Sequence, residues 1–549
     1  MSKISKVVKE EQMAKAHRKD ETVFNFMCGE SFVINPLETM KMVTASSIFG
    51  EPSYYRDGKL GTKVKDAYYN LDPLVKGFTV LDKSYERKTT TDIMESVIDD
   101  ALSYDFKGTL DWAIQLRREF NMRLNPQVIM VRAAIHPNRK EFTEMYPGEF
   151  VRIQKLVMSR ADEPASQIAY YLYLNKSKNK MPSILKRTVA DKLSNLSRYQ
   201  VSKYKNHEIG MIDAVRITHA TSEVIDELMQ TGTVKIAENQ KTWENLRSEG
   251  KTWKEIFNTI EIGHMALLRN IRGVFTEVDD SEFCDRYLDK LKSGVETGKQ
   301  FPFRYYTALQ MIKKSSCNHK SKIVDALEEC IDISLANMPK LKGKTMCLSD
   351  NSGSAWGAIN SEYGTVTVAE IDNLSSVITA SLSDEGYVGK FGDKLITHPI
   401  SKRNGILSQA ESISQKRDYD VGGGTEGGIW EFFKNAIDKK EHWDNIFIYS
   451  DQQAGHGGLY GTYKQKQEYL NLGFACGSYI NVYDLILEYR KKVNPKVNVF
   501  SVQTAGYNNV CIPENAYRTS IMYGWTGKEL NYADKINKLW DEVESKNKN

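Results

Sequence analysis

The stretch Lys344–Ser354, KTMCLSDNSGS, decides the architecture of this chain. Its apolar run Met346-Cys347-Leu348 leads into Asp350, Ser352 and Ser354, so one carboxylate and two hydroxyls stand at alternate positions directly after it. A short apolar run closed by a polar, glycine-containing turn reads as a buried strand, which puts the three oxygens at a strand's carboxyl end. NIFIYSD from Asn445 has the same grammar and delivers Asp451, and VNVFSVQ from Val497 is a third strand of this kind. The helical segments GIWEFFKNAI and SYINVYDLILEYRKK lie between them. Strands alternating with helices predict a parallel sheet covered on both faces, with ligands bound at the carboxyl ends of its strands.

Outward from that stretch the composition changes. Of 36 glycines, 14 precede residue 341 and 22 follow in the shorter remainder, so a helical first part and a loop-rich α/β second part are expected. No proline occurs between Pro182 and Pro302. Apolar residues there recur at helical spacing, as in Val224, Ile225, Leu228, Met229 and Ile256, Ile260, Leu267, Leu268, Ile271. Many short helices packed in sequence are the pattern of a helical-repeat array, open or closed into a ring, although no strict period is present. The expected division is a flexible N-terminus over 1–20, a helical-repeat region over 21–340 and an α/β domain over 341–549.

The composition is that of a globular protein, 41% apolar and 27% charged, without a long apolar run or the apolar core of a signal peptide. A cytoplasmic protein is expected, with no membrane partner. The seven cysteines (Cys28, Cys284, Cys317, Cys330, Cys347, Cys476, Cys511) are scattered and never spaced as CxxC, which argues against disulfide frameworks and thiolate zinc sites. The net charge of +4 is unevenly spread: residues 172–205 hold nine basic residues against Asp191 alone, a local +8, and the rest of the chain sums to −4. Such concentration suits an anionic partner.

Asp350, Ser352 and Ser354, Thr425 in GGGTEGG, and Asp451 form an oxygen-only set suited to Mg²⁺ or Mn²⁺. The set, in this order, resembles the metal-ion-dependent adhesion site of von Willebrand factor A domains, which implies that these five residues coordinate a divalent ion directly or through water. The alternative is that the serines cap the next helix and Asp451 ends a strand in a turn. Gly343-Lys344-Thr345 has the look of a phosphate-loop end, but Met338 occupies the earlier glycine position and the triplet precedes its strand, so a nucleotide site is excluded.

In the basic window, Pro182 is placed to open a helix whose buried stripe is Ile184, Leu185, Val189, Leu193 and Leu196, leaving Lys186, Arg187, Lys192 and Arg198 largely exposed. Lys203, Lys205, Tyr199 and Tyr204 follow, and basic residues with interleaved aromatics neutralise phosphates and stack on bases. A solvated helix face is the competing reading. His219 is likewise either a structural residue near a helix end or part of a surface for a partner.

Several segments together resemble the TROVE module of the Ro autoantigen family: Gln200, Lys203 and Tyr204 of a Q-x-x-K-Y segment, then Arg216, Ile217, Thr218 and His219; HMALLRNIRG from His264; FPFRYYTAL from Phe301; SYYRDGKLG near Tyr54. LEYRKK from Leu487 resembles a helix of that family's own A-type domain. The resemblance implies a HEAT-like ring of helical repeats closed by a von Willebrand factor A-like domain. It implies a monomeric, non-enzymatic ribonucleoprotein scaffold that binds small noncoding Y RNA on a basic outer face. Single-stranded 3′ ends of misfolded RNA are then expected in the central hole, in RNA quality control. On that basis Lys186, Arg187, Lys192, Arg198, Lys203 and His219 are expected to line the RNA surface, with Arg216 and Arg269 either joining them or tying helices together. A nuclease or other protein is a further partner through the A-type domain. The second function class is a metal-dependent interaction scaffold that binds a partner's carboxylate. Departures from the family pattern fall at FGEPSYY, at Thr218 before His219, at FPF, and at QQAGHGGLYGTYKQ after Asp451.

Overall fold

The computed structural model describes residues 22–24, 30–32, 35–45, 90–175, 179–204, 209–237, 240–357, 366–415, 420–424, 426–450, 463–473, 481–504, 512, 516–523 and 529–546. The expected N-terminal tail, the Tyr54 segment and the stretch after Asp451 lie outside these residues.

Short strands β1 (Thr22–Phe24) and β2 (Glu30–Phe32) pair antiparallel ahead of the helix Pro36–Ala45. From Thr90 to Leu335 every regular element among the described residues is helical. The helices are short because polar caps punctuate the chain: Asp105, Ser222 and Asp280 each accept the N–H three residues on, and Thr242 and Thr252 open capping boxes. Burial follows the helical period, as in Leu267, Leu268, Ile271, Val274 and Phe275 of the helix His264–Glu277.

Strands β3 (Leu341–Asp350), β4 (Ser383–Phe391), β5 (Leu395–Pro399), β6 (Asn445–Ser450), β7 (Asn498–Gln503) and β8 (Thr519–Tyr523) form one sheet in the order β5-β4-β3-β6-β7-β8. All neighbours are parallel except β4 and β5. The all-parallel expectation is corrected at this edge: only Gly392–Lys394 separate β5 from β4, too little chain for a crossover, so the pair must be a hairpin.

Period-two alternation sends Cys347, Phe447, Tyr449, Phe500 and Val502 to one face, and Met346, Leu348, Ile446, Ile448 and Val499 to the other. The first face packs on the helix Val368–Ser381 and shares one continuous core with the helical array; the second packs on Glu426–Asp438 and Val482–Lys492.

Both ends of the array clasp the α/β part. At the early end, Tyr532 donates to Glu119 at 3.0 Å. At the late end, the Glu328 carboxylate accepts the N–H groups of Leu407 (2.9 Å) and Ser408 (2.7 Å), capping the helix Ile406–Ser414 from another element. The Asn121 amide also reaches the Lys299 carbonyl at 3.2 Å, joining early and late helices directly. The helical array therefore closes on itself.

Gly343 has φ of +84° and Lys344 pairs with Glu441 at 2.9 Å over the Trp443 ring, so the phosphate-loop lookalike is a packed strand entry. The described cysteines Cys284, Cys317, Cys330 and Cys347 are all free and buried, and burial pushes the Cys284 thiol up to about 11. No helix among the described residues is long and apolar enough to cross a membrane.

Candidate nucleic-acid interface and metal-type site

The chain leaves β3, which has β4 on one side and β6 on the other, so the carboxyl end of β3 is where the strand order reverses direction. Asp350 is fully buried there. One of its oxygens accepts the Ser352 N–H at 2.9 Å and the other accepts the Ser450 hydroxyl at 2.6 Å, so β3, its loop and the end of β6 meet on one carboxylate. The Gly353 N–H donates to the Gly423 carbonyl at 2.8 Å, which draws in the glycine-rich loop that precedes Thr425. Behind the loop lies a buried amide network: Asn351 donates to Asn373 at 2.8 Å, Asn373 returns the bond at 3.1 Å, and the Ser349 hydroxyl donates to Asn373 at 2.7 Å.

The structure thus brings Asp350 and Ser352 together. Ser354 lies in the helix Gly353–Gly357, while Thr425 and Asp451 fall outside the described residues. The described donors are a carboxylate and a hydroxyl in a braced loop, a chemistry that fits a hard divalent cation. No cluster of three or more His, Cys, Asp or Glu occurs among the described residues. Sequence reading missed Asn351, Asn373 and Ser450; of these only Ser450 carried a signal, a hydroxyl ending a strand otherwise wholly apolar or aromatic in its last five positions.

The basic helix begins one residue after Pro182 and spans Ser183–Ser194, with Leu185, Val189, Leu193 and, beyond its end, Leu196 buried; Ile184 is half-buried. Arg187 stands on its exposed ridge, whereas Lys186 and Lys192 are half-buried at the margins of the apolar stripe. The only acid on the helix, Asp191, is taken by Lys155 of a neighbouring helix at 2.9 Å. Lys186, Arg187 and Lys192 form no ion pair among the described residues.

Lys203 is exposed and lies 5.5 Å from the ring centroids of both Tyr199 and Tyr204. Arg198 instead pairs with Glu227 across to the helix Glu223–Thr231, and Glu227 also accepts the Lys235 N–H at 3.0 Å. Those two contacts, the backbone bond foremost, hold the Glu227 carboxyl below its usual range.

His219 caps the helix Met211–Thr218 with φ of +60°, a left-handed position unusual for a non-glycine residue, and its ring is exposed. Arg216 is exposed and reaches only Asp213 of its own helix at 3.4 Å; Arg269 is exposed with no ion pair among the described residues. Neither ties helices together by an ion pair among the described residues, whereas Arg198, expected on the RNA surface, does so.

His264, which the sequence offered only as part of a longer segment, is 5% exposed and holds four helices in register. Its Nδ1 lies 2.8 Å from the Leu291 carbonyl, which requires the proton on Nδ1, and its Nε2 lies 3.0 Å from the Tyr305 hydroxyl, which donates to it when the ring is neutral. Burial lowers its pKa from 6.5. A Cβ on Gly298 would come within 2.6 Å of the ring, so the glycines after Leu291 leave room for it.

No family model matches the chain, and no curated protein matches its sequence. Among solved structures it is similar to the Ro (RSR) protein of Deinococcus radiodurans, with a TM-score of 0.52 over 81% of this chain and 93% of that one, at 13% identity. At that identity the likeness bears on the fold, and it agrees with the resemblance drawn from the motifs. The chain has the Ro fold: a closed array of helices joined to a von Willebrand factor A-like α/β domain.

Proposed function

We propose that this protein is an RNA-binding scaffold of the Ro type, which holds a structured noncoding RNA of the Y class on its basic helical face. It accepts single-stranded 3′ ends of misfolded RNA in the space enclosed by the closed array. The observation that carries the reading is the run of cations Lys186, Arg187, Lys192 and Lys203, none of them engaged by an acid among the described residues, while the acids Asp191 and Glu227 are occupied by Lys155 and Arg198. Unpaired cations are available to phosphates at little cost, whereas paired ones must first give up a partner. The exposed Tyr199 beside Lys203 offers a ring for an unpaired base. Arg216 and His219 stand exposed on the neighbouring helix Met211–Thr218 and at its end, Arg269 is a further exposed cation of the array, and the Ro fold of the solved neighbour supports the assignment.

In the α/β domain, Asp350, Ser352, Ser354, Thr425 and Asp451 would hold Mg²⁺ or Mn²⁺. The bound ion supplies positive charge for an anionic group of a protein partner, such as a nuclease. The chain's own residues do the positioning: Ser450 and the Ser352 N–H fix both oxygens of Asp350, and Asn373 braces the loop from behind. A monomeric cytoplasmic protein without enzymatic activity completes the reading.

The test is RNA binding across a salt series, using a hairpin RNA with a single-stranded 3′ tail. Replacing Lys186, Arg187 and Lys203 by alanine is expected to weaken binding and to flatten the salt dependence by about 0.7–0.9 for each phosphate that is no longer neutralised. Equal, salt-insensitive binding by both proteins refutes the RNA reading. For the metal, MgCl₂ or MnCl₂ is expected to raise the melting temperature of the native protein but not of Asp350→Ala, since a ligand that binds only the folded state stabilises it by mass action. An equal response of both proteins rejects the site.

A further inference from the structure

The basic helix opens against a cleft that no motif predicted. Between the ends of the helices Asn125–Ile135 and Glu163–Leu174 and the start of Ser183–Ser194 lies an open cavity of about 580 Å³. That volume is within the range of small-ligand sites, roughly 300–1,000 Å³. Its lining is mixed: Ala134, Ile135, Leu174 and Ile184 form an apolar side, Tyr171, Asn175, Asn179 and Ser183 contribute polar groups, and Arg139 and Lys180 add positive charge at the rim. Ile135 is 46% exposed at the end of a helix that is otherwise almost wholly buried, so its side chain is accessible from the cavity.

Neither rim cation forms an ion pair among the described residues, whereas the half-buried Arg132 and Arg160 are both paired with aspartates. The rim is shaped by local bonds: Asn175 and Asn179 exchange amide hydrogen bonds of 2.7 and 2.8 Å, and the Tyr171 hydroxyl donates to the Asn179 carbonyl at 3.2 Å. Lys180 is thereby held beside the cavity mouth.

We infer that this cleft receives one unpaired nucleotide of the bound RNA, its base against the Ile135–Leu174–Ile184 wall and its flanking phosphates on Arg139 and Lys180. Apolar side chains beside two cations that form no ion pair among the described residues complement an apolar-faced base with its flanking phosphates, and the Asn175, Asn179 and Ser183 groups complement the polar edge of the base. The cleft also adjoins the proposed RNA surface, because Ile184 and the exposed Arg187 stand three residues apart on the same helix and are neighbours on its surface. The inference rests on the RNA-binding function proposed for this surface and adds to it a specific place where single-stranded character is sensed.

The test compares the native protein, Ile135→Glu, the double variant Arg139→Ala with Lys180→Ala, and the double variant Lys186→Ala with Arg187→Ala. Each is titrated with the tailed hairpin and with the same hairpin made blunt, after circular dichroism has matched their folds. Ile135 is exposed, so its substitution leaves the core intact. Both cleft variants are expected to lose roughly tenfold in affinity for the tailed RNA with little change for the blunt one, and the cationic double variant to lower the salt slope by about 1.4. If the cleft variants bind like the native protein while Lys186→Ala with Arg187→Ala binds weakly, the cleft assignment falls and the RNA reading stands. If Ile135→Glu weakens tailed and blunt RNA alike, or the Arg139→Ala with Lys180→Ala variant binds the tailed RNA with the native affinity and salt slope, the placement of an unpaired nucleotide with its phosphates on this cleft is overturned. If the native protein itself shows no salt-sensitive binding, both fall.

Discussion

Replacing His264 by alanine should loosen the closed array in a pH-dependent way. In the native protein the ring's two nitrogens meet the Leu291 carbonyl and the Tyr305 hydroxyl, and the ring fills the space left by Gly294 and Gly298. The Leu291 carbonyl keeps the Gly294 N–H at 3.3 Å, so the main losses are the tyrosine's partner and the packing of the ring. A buried hydroxyl left without a partner costs about 1–3 kcal/mol, and a cavity of this size adds about 1–2 kcal/mol, so roughly 2–5 kcal/mol is expected above pH 7. The folded pKa lies below the unfolded value of 6.5, so the contribution of the neutral ring is fully present above that value. It is lost as pH falls from 6.5 to the folded pKa, by about 1.4 kcal/mol for each unit separating the two. The assay is the urea midpoint of native protein and variant between pH 7.5 and 5. The gap between them should be widest above pH 7 and narrow on acidification. His136 and His398 are also lowered by burial and will give both proteins a shared acid sensitivity, so the difference between the curves is the quantity that decides. A gap that stays constant with pH, or one that is absent at pH 7.5, refutes this account of His264.

Two further outcomes concern ion pairs and caps that join separate helices. Arg198→Ala should leave the salt slope of RNA binding nearly unchanged, whereas Arg187→Ala lowers it, because Glu227 already neutralises Arg198; equal effects would show that the Arg198–Glu227 pair opens on binding. Glu328→Ala removes the carboxylate that caps the helix Ile406–Ser414 across the junction, at a local cost of about 1–3 kcal/mol. Hydrogen exchange should accelerate at Leu407 and Ser408 by roughly ten- to a hundredfold, and an unchanged rate would mean that the cap contributes nothing to docking.

Residues close in sequence were legible by themselves. Burial on both faces of β3 and β6 forces continuous apolar runs, and polar residues must resume where such a strand leaves the sheet, so Asp350 could be placed at a strand end from KTMCLSD alone. The buried stripe of Ser183–Ser194 followed in the same way from helical periodicity, because the period is local geometry. The short hairpin to β5 escaped because GDK between two apolar stretches carries no signal for strand direction.

Which cations remain available to a phosphate was not written in the charge pattern. Asp191 is engaged by a lysine 36 positions earlier and Arg198 by a glutamate 29 positions later, so the availability of each charge depended on which helices became neighbours. The same holds for His264, whose partners lie 27 and 41 residues away, and for Ser450, which meets Asp350 across 100 residues. Sequence by itself determined the elements, their buried faces and the carboxylate at the sheet's edge, because each depends on periodicity or on a turn a few residues long. Tertiary structure decided the pairing of charges, the cleft beside Ile135 and the closure of the array, because those require surfaces from distant segments and carry no local energetic signature.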